Sequence, residues 1–134
     1  MRPCKILIVD DDRNLAYLLR QRLEDEGYEV ATAHSAAEGF AAYLRLRPHI
    51  LLTDITMGEE DGLDLVRRVR MHNPKVRTIF MTGNPDRYRS ELEIESRLYH
   101  AQVLEKPFGG RELARAIACR AQRNRQIAAL KPAR

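Results

Sequence analysis

Short apolar runs alternate along this chain with longer stretches in which apolar residues recur every three or four positions. The apolar runs predict five β-strands, at 5–9, 28–32, 49–54, 76–81 and 102–104. The amphipathic stretches predict five helices, at 14–26, from 35 toward 47, after 62, at 86–98 and from about 110 onward. Because strands and helices alternate five times, we expect an α/β domain whose mainly parallel sheet is covered by helices on both faces.

Turn and capping residues separate these segments. Gly27 supplies a C-terminal stop for the first helix. Ser35 and Glu38 have the spacing of a capping box at the start of the second helix. Pro48 prevents that helix from continuing into the third strand. The apolar pattern of the last helix includes Leu113 and Ile117 and can be continued to 127 and 130.

Length and composition are those of a single globular domain. The chain has 134 residues, of which 44% are hydrophobic and 31% are charged. Its apolar runs are too short to span a membrane, and the first one runs directly into three acids, which is unlike a signal peptide. Cys4 and Cys119 lie far apart without metal-ligand spacing, so we expect reduced thiols. These features predict a cytoplasmic protein.

The positive charge is concentrated at the C-terminus. Residues 109–134 hold seven Lys or Arg and one acid, a net charge of +6, whereas the other 108 residues hold 16 and 18, a net charge of −2. We place the domain at 1–125 and a basic C-terminal extension, or the start of a linker, at 126–134. This tail is interpreted as a solvated helix extension, a linker to an output domain, or a contact for acidic partners. Nucleic-acid binding ranks last, because no aromatic residues lie among the arginines and no DNA-binding motif follows.

Four of the predicted strands end at residues that could carry chemistry. The first ends at Asp10 and Asp11, the third at Asp54, the fourth at Thr82 and the fifth at Lys106. Each residue taken alone has a common structural explanation as a helix cap, a turn or a loop residue. In a doubly wound parallel sheet, however, the carboxyl ends of the strands lie along one edge, where such folds bind ligands. We therefore expect three carboxylates, a hydroxyl and an ammonium group to converge there.

Such a group is suited to Mg²⁺ and phosphate. Three neighbouring carboxylates cannot all remain ionised without a cation, and oxygen ligands are those that Mg²⁺ prefers. Asp11 and Asp54 are the candidate side-chain ligands, Asp10 binds directly or through water, and the Thr56 carbonyl is a further candidate. A carboxylate beside Mg²⁺ can attack phosphorus. Lys106 and Thr82 would then bind the phosphoryl oxygens.

The motifs ILIVDDD, LLTDITMGEEDGLDLV, IFMTGN and LEKPF resemble those of the receiver domain of bacterial two-component response regulators. The resemblance covers residues 4 to about 125. It implies a five-stranded flavodoxin-like fold with strand order 2-1-3-4-5 and a cis bond between Lys106 and Pro107. By the same resemblance, Asp54 is the phosphoacceptor, and the acidic pair and Thr56 bind the metal, with Asp11 as the direct ligand. Thr82 and Lys106 match the switch hydroxyl and the lysine of the family.

The resemblance also implies a function. A sensor histidine kinase or a phosphotransfer protein would donate a phosphoryl group to Asp54 in the presence of Mg²⁺. The modified domain would then change the surface that binds a partner or output domain, without acting as an enzyme on an external substrate. Homodimerisation through the fourth and fifth strand region is a further implication. The chain departs from the family pattern at Gly58, where proline is usual, and at Val103, where an aromatic switch residue is usual.

Three alternative interpretations share part of this pattern. An enzyme of the haloacid-dehalogenase type also uses a strand-end Asp with Mg²⁺, but it needs a second Asp two residues later, and that position is Thr56. A flavodoxin needs Ser, Thr and Gly donors after its first strand, where this chain has three acids that would repel a phosphate. The remaining alternative is a receiver-like interaction scaffold that is not phosphorylated. Gly58 and Val103 favour it, whereas the complete set of candidate site residues argues against it.

Overall fold

A computed structural model describes residues 3–118 of the protein. Its strands are β1 (Lys5–Val9), β2 (Glu29–Ala33), β3 (Ile50–Asp54), β4 (Thr78–Thr82) and β5 (Gln102–Glu105). Its helices are α1 (Arg13–Asp25), α2 (Ala36–Leu46), α3 (Gly62–His72), α4 (Arg89–Tyr99) and α5, which covers 110–118 of the described residues. The strands form one parallel sheet in the order β2-β1-β3-β4-β5, as the family resemblance predicted.

The unbroken apolar runs correspond to strands that are buried on both faces. All five residues of β3 are buried, and so are all five of β4. Successive side chains of a strand point to opposite faces, so each inner strand contributes to two cores. Leu51 and Phe80 pack with α2, α3 and α4 on one face, whereas Leu52 and Met81 pack with α1 and α5 on the other. The domain therefore has the three layers that the sequence predicted.

Capping side chains fix the helix starts next to the carboxyl edge of the sheet. The Asp12 carboxylate accepts from the backbone N–H of Leu15 at 3.1 Å, and the Asp61 carboxylate accepts from that of Asp64 at 2.9 Å. Ser35 Oγ accepts from the backbone N–H of Glu38, as the capping box predicted. The Glu38 carboxylate returns to the backbone N–H of His34, one residue before the cap. These caps hold the loops that surround the strand ends.

The fourth helical segment differs from its prediction. A 3₁₀ turn, Pro85–Tyr88, precedes α4, and the two together occupy the stretch that was predicted as one helix. Among the apolar residues on which that prediction relied, Leu92 is buried, but Ile94 and Leu98 are 54% and 61% exposed. The buried face of this segment contains Tyr88, Leu92 and the charged Glu95.

Two further boundaries can be compared with the prediction. Strand β4 begins at Thr78 and not at Val76, because the backbone N–H of Val76 donates to the carbonyl of Asn73 in a turn. The apolar positions 127 and 130 and the predicted domain boundary at 125 lie outside the described residues. Among the residues that are described, no helix is long and apolar enough to cross a membrane.

Candidate metal centre

The parallel register of the sheet places the predicted site residues at one edge. Val9 at the end of β1 is paired with Thr53, so Asp10 follows beside Asp54. Thr82 at the end of β4 is paired with Glu105, so Lys106 follows beside it. The backbone N–H of Lys106 also donates to the Thr82 carbonyl at 2.7 Å. The sheet thus brings residues from four strands to one edge, as we expected from the strand order.

Three carboxylates face one ammonium group at this edge. One carboxylate oxygen from each of Asp10, Asp11 and Asp54 lies within 4.8 Å of the other two. Lys106 Nζ lies 3.2 Å from Asp10 Oδ2 and 3.3 Å from Asp54 Oδ1. Asp10 and Asp54 are buried, whereas Asp11 is exposed at the opening. The site therefore has more negative than positive charge, and part of it is removed from solvent.

The pKa values show the effect of this imbalance. Burial raises the pKa of Asp54 to about 6, the neighbouring Asp10 raises it as well, and Lys106 opposes both. Burial also raises the pKa of Asp10, against the lowering effect of the Asp12 N–H and of Lys106. Burial alone would lower the pKa of Lys106, but the charges of Asp10 and Asp54 outweigh it and raise that pKa. A further cation would therefore be favourable here.

The donor set fits Mg²⁺. Its oxygen atoms are hard ligands, they are close enough to share one ion, and the exposed Asp11 leaves a path for the ion to enter. Thr56, whose carbonyl was predicted as a ligand, lies two residues beyond Asp54 in an exposed part of the loop. A bound cation would also lower the pKa values of the carboxylates that hold it.

The loop after Asp54 is shaped by two glycines. A Cβ on Gly62 would lie 2.1 Å from the backbone oxygen of Asp54, and the Gly62 N–H donates to the Ile55 carbonyl at 2.7 Å. The end of the loop therefore returns against the backbone of the site because this residue has no side chain. Gly58 has a φ of +55°, which proline cannot adopt. This departure from the family pattern thus changes the backbone of the loop.

Thr82 and Val103 occupy the two positions that match the switch residues of the family. Thr82 is buried, and its Oγ accepts from the backbone N–H of Asn84 at 3.0 Å. Val103 lies on β5 with a side chain that is 37% exposed. The Lys106–Pro107 bond is cis, as the resemblance predicted.

Sequence reasoning missed two residues that contact this region. The Tyr88 hydroxyl lies 3.1 Å from Thr56 Oγ1, within hydrogen-bonding distance. The ring nitrogen Nδ1 of His34 lies 3.1 Å from the Asp10 carbonyl. Both contacts join residues that are more than 20 positions apart, so neither leaves a local pattern in the sequence.

The fold and the site define a flavodoxin-like α/β domain with an acidic cluster that fits a cation at the carboxyl edge of its sheet. The model of the response regulator receiver domain matches residues 6–118, and the chain belongs to this family. It is therefore a receiver domain of two-component signalling systems.

Known proteins show the same domain at different lengths. The response regulator receiver protein CpdR of Brucella abortus is 36% identical over 122 residues, which cover 84% of this chain and 92% of that protein. The chain also matches longer transcriptional regulators, of which it spans only 18% to 35%.

Solved structures show the same fold. A CheY-like receiver domain from Methanospirillum hungatei superposes with a TM-score of 0.83 at 29% identity, covering 93% of this chain and 98% of that one. The response regulator TrrA of Thermotoga maritima, solved in complex with Mg²⁺-BeF, superposes with a TM-score of 0.76 at 28% identity, covering 87% and 98%.

Proposed function

We propose that this receiver domain accepts a phosphoryl group on Asp54 in the presence of Mg²⁺. The observation that supports this most is the cluster of three carboxylates with Lys106 between Asp10 and Asp54. The donor would be a sensor histidine kinase or a phosphotransfer protein. Phosphorylation would then change the surface that binds a downstream protein or an output domain.

Each site residue has a distinct role in this proposal. Asp11 and Asp54 would hold Mg²⁺ with the Thr56 carbonyl, and Asp10 would do so directly or through water. When bound, Mg²⁺ neutralises charge on the carboxylates and on the transferred phosphoryl group. An Asp54 carboxylate oxygen forms the new bond to phosphorus as the bond between phosphorus and the donor breaks.

Lys106 and Thr82 would stabilise the product. The Lys106 ammonium lies 3.3 Å from Asp54 Oδ1, close enough to contact an oxygen of a phosphoryl group attached there. The Thr82 hydroxyl accepts a hydrogen bond from Asn84, which leaves its own hydrogen free to be donated to the phosphoryl group. The domain would also lose the phosphoryl group by hydrolysis at the same site, and we propose no turnover of an external substrate.

The direct test is the incorporation of labelled phosphate from acetyl phosphate, with and without Mg²⁺. We expect labelling that requires Mg²⁺ and is lost in Asp54→Asn. Asp25→Asn, at the exposed C-terminal end of α1, is the matched control and should label normally. Labelling that persists in Asp54→Asn would contradict the proposal. Absence of labelling in the wild type would favour the alternative of a scaffold that is not phosphorylated.

The domain organisation and the partners remain proposals too. We retain a receiver domain at 1–125 and a basic extension or linker start at 126–134, acting in the cytoplasm. The longer regulators that share this domain support an output domain as one type of partner, and a docked downstream protein is the other. Homodimerisation would use the β4–β5 region, and we propose no direct nucleic-acid binding. Sedimentation of the full chain with and without phosphodonor tests the dimer.

A further inference from the structure

Tyr88 contacts the site from an element that carries none of the predicted site residues. The residue is 7% exposed, and its side chain packs in the same core cluster as Phe80 and Leu92. Its hydroxyl reaches Thr56 Oγ1 at 3.1 Å. A buried tyrosine hydroxyl needs a polar partner, and here that partner is the exposed loop after Asp54.

The loop that shares this hydrogen bond is held near both of its ends. It runs from Ile55 to Asp61, passes through Gly58 in a left-handed conformation and carries the exposed acids Glu59 and Glu60. Gly62 fixes its far end against the Asp54 backbone. The Tyr88 hydroxyl fixes Thr56 near the beginning, at the residue whose carbonyl is the proposed Mg²⁺ ligand.

The segments before and after Tyr88 are each fixed by side-chain contacts. Before it, the Asn84 side chain accepts from the backbone N–H of Arg87 and caps the 3₁₀ turn. After it, α4 is attached to α3 by a two-pronged hydrogen-bonded ion pair between Arg70 and Glu95. The Arg70 guanidinium also lies 3.5 Å from the ring centroid of Tyr99. The tyrosine hydroxyl is therefore presented from a position fixed by the fold and not by the loop.

We propose that Tyr88 is a positioning residue for the Asp54 site. Its hydroxyl holds the Thr56 side chain, and through it the backbone that completes the cation centre. Since coupling between two sites is reciprocal, cation binding also orders the segment 84–92 that carries Tyr88. The inference rests on the proposed function only in taking Thr56 as part of the cation centre.

The test measures Mg²⁺ affinity by calorimetry in Tyr88→Phe and Thr56→Val, each of which removes one hydroxyl and keeps the shape of the side chain. We expect each variant to bind Mg²⁺ about 2- to 10-fold more weakly, which corresponds to the usual net contribution of one hydrogen bond. The double variant should be no weaker than either single one, because both remove the same hydrogen bond. Thr56→Ser keeps a hydroxyl and should restore the affinity.

Tyr43→Phe is the matched control. Tyr43 is also buried, and its hydroxyl accepts from the Asn73 side chain at 2.8 Å, between α2 and the end of α3. That variant should lower the unfolding temperature of the metal-free protein and leave Mg²⁺ affinity unchanged. A merely structural role for Tyr88 would produce the same result in Tyr88→Phe, and this would overturn the proposal.

A second readout does not depend on affinity. Amide hydrogen exchange in the segment 84–92 should slow when Mg²⁺ is added to the wild type, and this slowing should be absent in Thr56→Val. Equal slowing in both would contradict the inference.

If the wild type binds Mg²⁺ but is not labelled by acetyl phosphate, the proposed function fails and the positioning role still stands. If labelling is normal and Tyr88→Phe has wild-type affinity, only the positioning role fails.

Discussion

Two clusters of buried charge in this domain differ in their balance. At the carboxyl edge of the sheet, Asp10 and Asp54 share the single ammonium group of Lys106, and Asp11 adds a further acid at the opening. Between α3 and α4, Arg70 and Glu95 are paired one to one. The first cluster has surplus negative charge, whereas the second is neutral.

The difference in charge balance separates the candidate cation site from a structural contact. The pair between α3 and α4 satisfies both guanidinium NH₂ groups and both carboxylate oxygens, leaving only Arg70 Nε of this pair without a partner. At the sheet edge, burial and mutual repulsion raise the pKa of Asp54 to about 6, so its ionised form is costly in the metal-free protein. In the function we propose, a cation would relieve that cost and leave an ionised carboxylate that can react.

The largest effect is expected from breaking the neutral pair. Arg70→Met leaves the Glu95 carboxylate buried without a partner, which should lower the free energy of unfolding by about 3–5 kcal/mol in urea denaturation. Replacing both residues, Arg70→Met with Glu95→Leu, should recover most of that loss. A decrease below about 1 kcal/mol in the single variant would show that the pair is not a fixed contact.

Removing one acid from the cluster at the sheet edge is expected to have the opposite effect and to raise the free energy of unfolding of the metal-free protein. A pKa of about 6 in the folded protein, against 3.8, means that the unfolded state releases the Asp54 proton more readily. Stability of the metal-free protein therefore falls as pH rises from about 4 through about 6. At pH 7.5, Asp54→Asn should raise the free energy of unfolding by about 3 kcal/mol, and the opposing attraction of Lys106 is already included in this value because it contributes to that pKa. At pH 4 the gain should vanish, and destabilisation at pH 7.5 would contradict the surplus of negative charge.

Mg²⁺ should stabilise the folded protein through the cluster at the sheet edge and not through the pair between α3 and α4. At a concentration ten times its dissociation constant, it should raise the free energy of unfolding by about 1.4 kcal/mol. The effect should shrink at pH 5, because protons compete for the same carboxylates. The control variant Tyr43→Phe should retain this increment, and Asp11→Asn should lose most of it. An equal increment in Asp11→Asn would place the ion elsewhere.

The smallest effect is expected from an exposed pair. Arg20 and Glu24 form an ion pair on the surface of α1 at 3.2 Å, with both side chains more than 40% exposed. Glu24→Gln should change the free energy of unfolding by less than about 0.5 kcal/mol, because water screens both charges. A larger loss would mean that burial is not what distinguishes the clusters.

The strand ends could be predicted from the sequence because their signals are local. The apolar run of β3 stops at Asp54, that of β1 stops at Asp10, and parallel topology brings such ends together wherever they lie in the chain. Lys106 follows from the same rule. The convergence of the candidate site was therefore predictable before any distance was known.

The side-chain contacts that support the site could not be predicted from local signals in the sequence. Tyr88 and Thr56 are 32 residues apart and Arg70 and Glu95 are 25 apart, and each pair joins segments whose sequences suggest a loop or a solvated helix face. Glu95 also occupies the buried face of α4, which weakened the apolar pattern of that helix and led to Ile94 and Leu98 being counted toward its core. Side-chain partners across a fold require the tertiary structure.

The most direct measurement is the location of the phosphoryl group. After treatment with acetyl phosphate and Mg²⁺, borohydride reduction converts an aspartyl phosphate to homoserine, which mass spectrometry of the peptides locates. The charge surplus at the sheet edge predicts homoserine at position 54, and its absence when Mg²⁺ is chelated. Homoserine at another aspartate, or none in protein that binds Mg²⁺, would contradict the assignment of Asp54 as the phosphoacceptor.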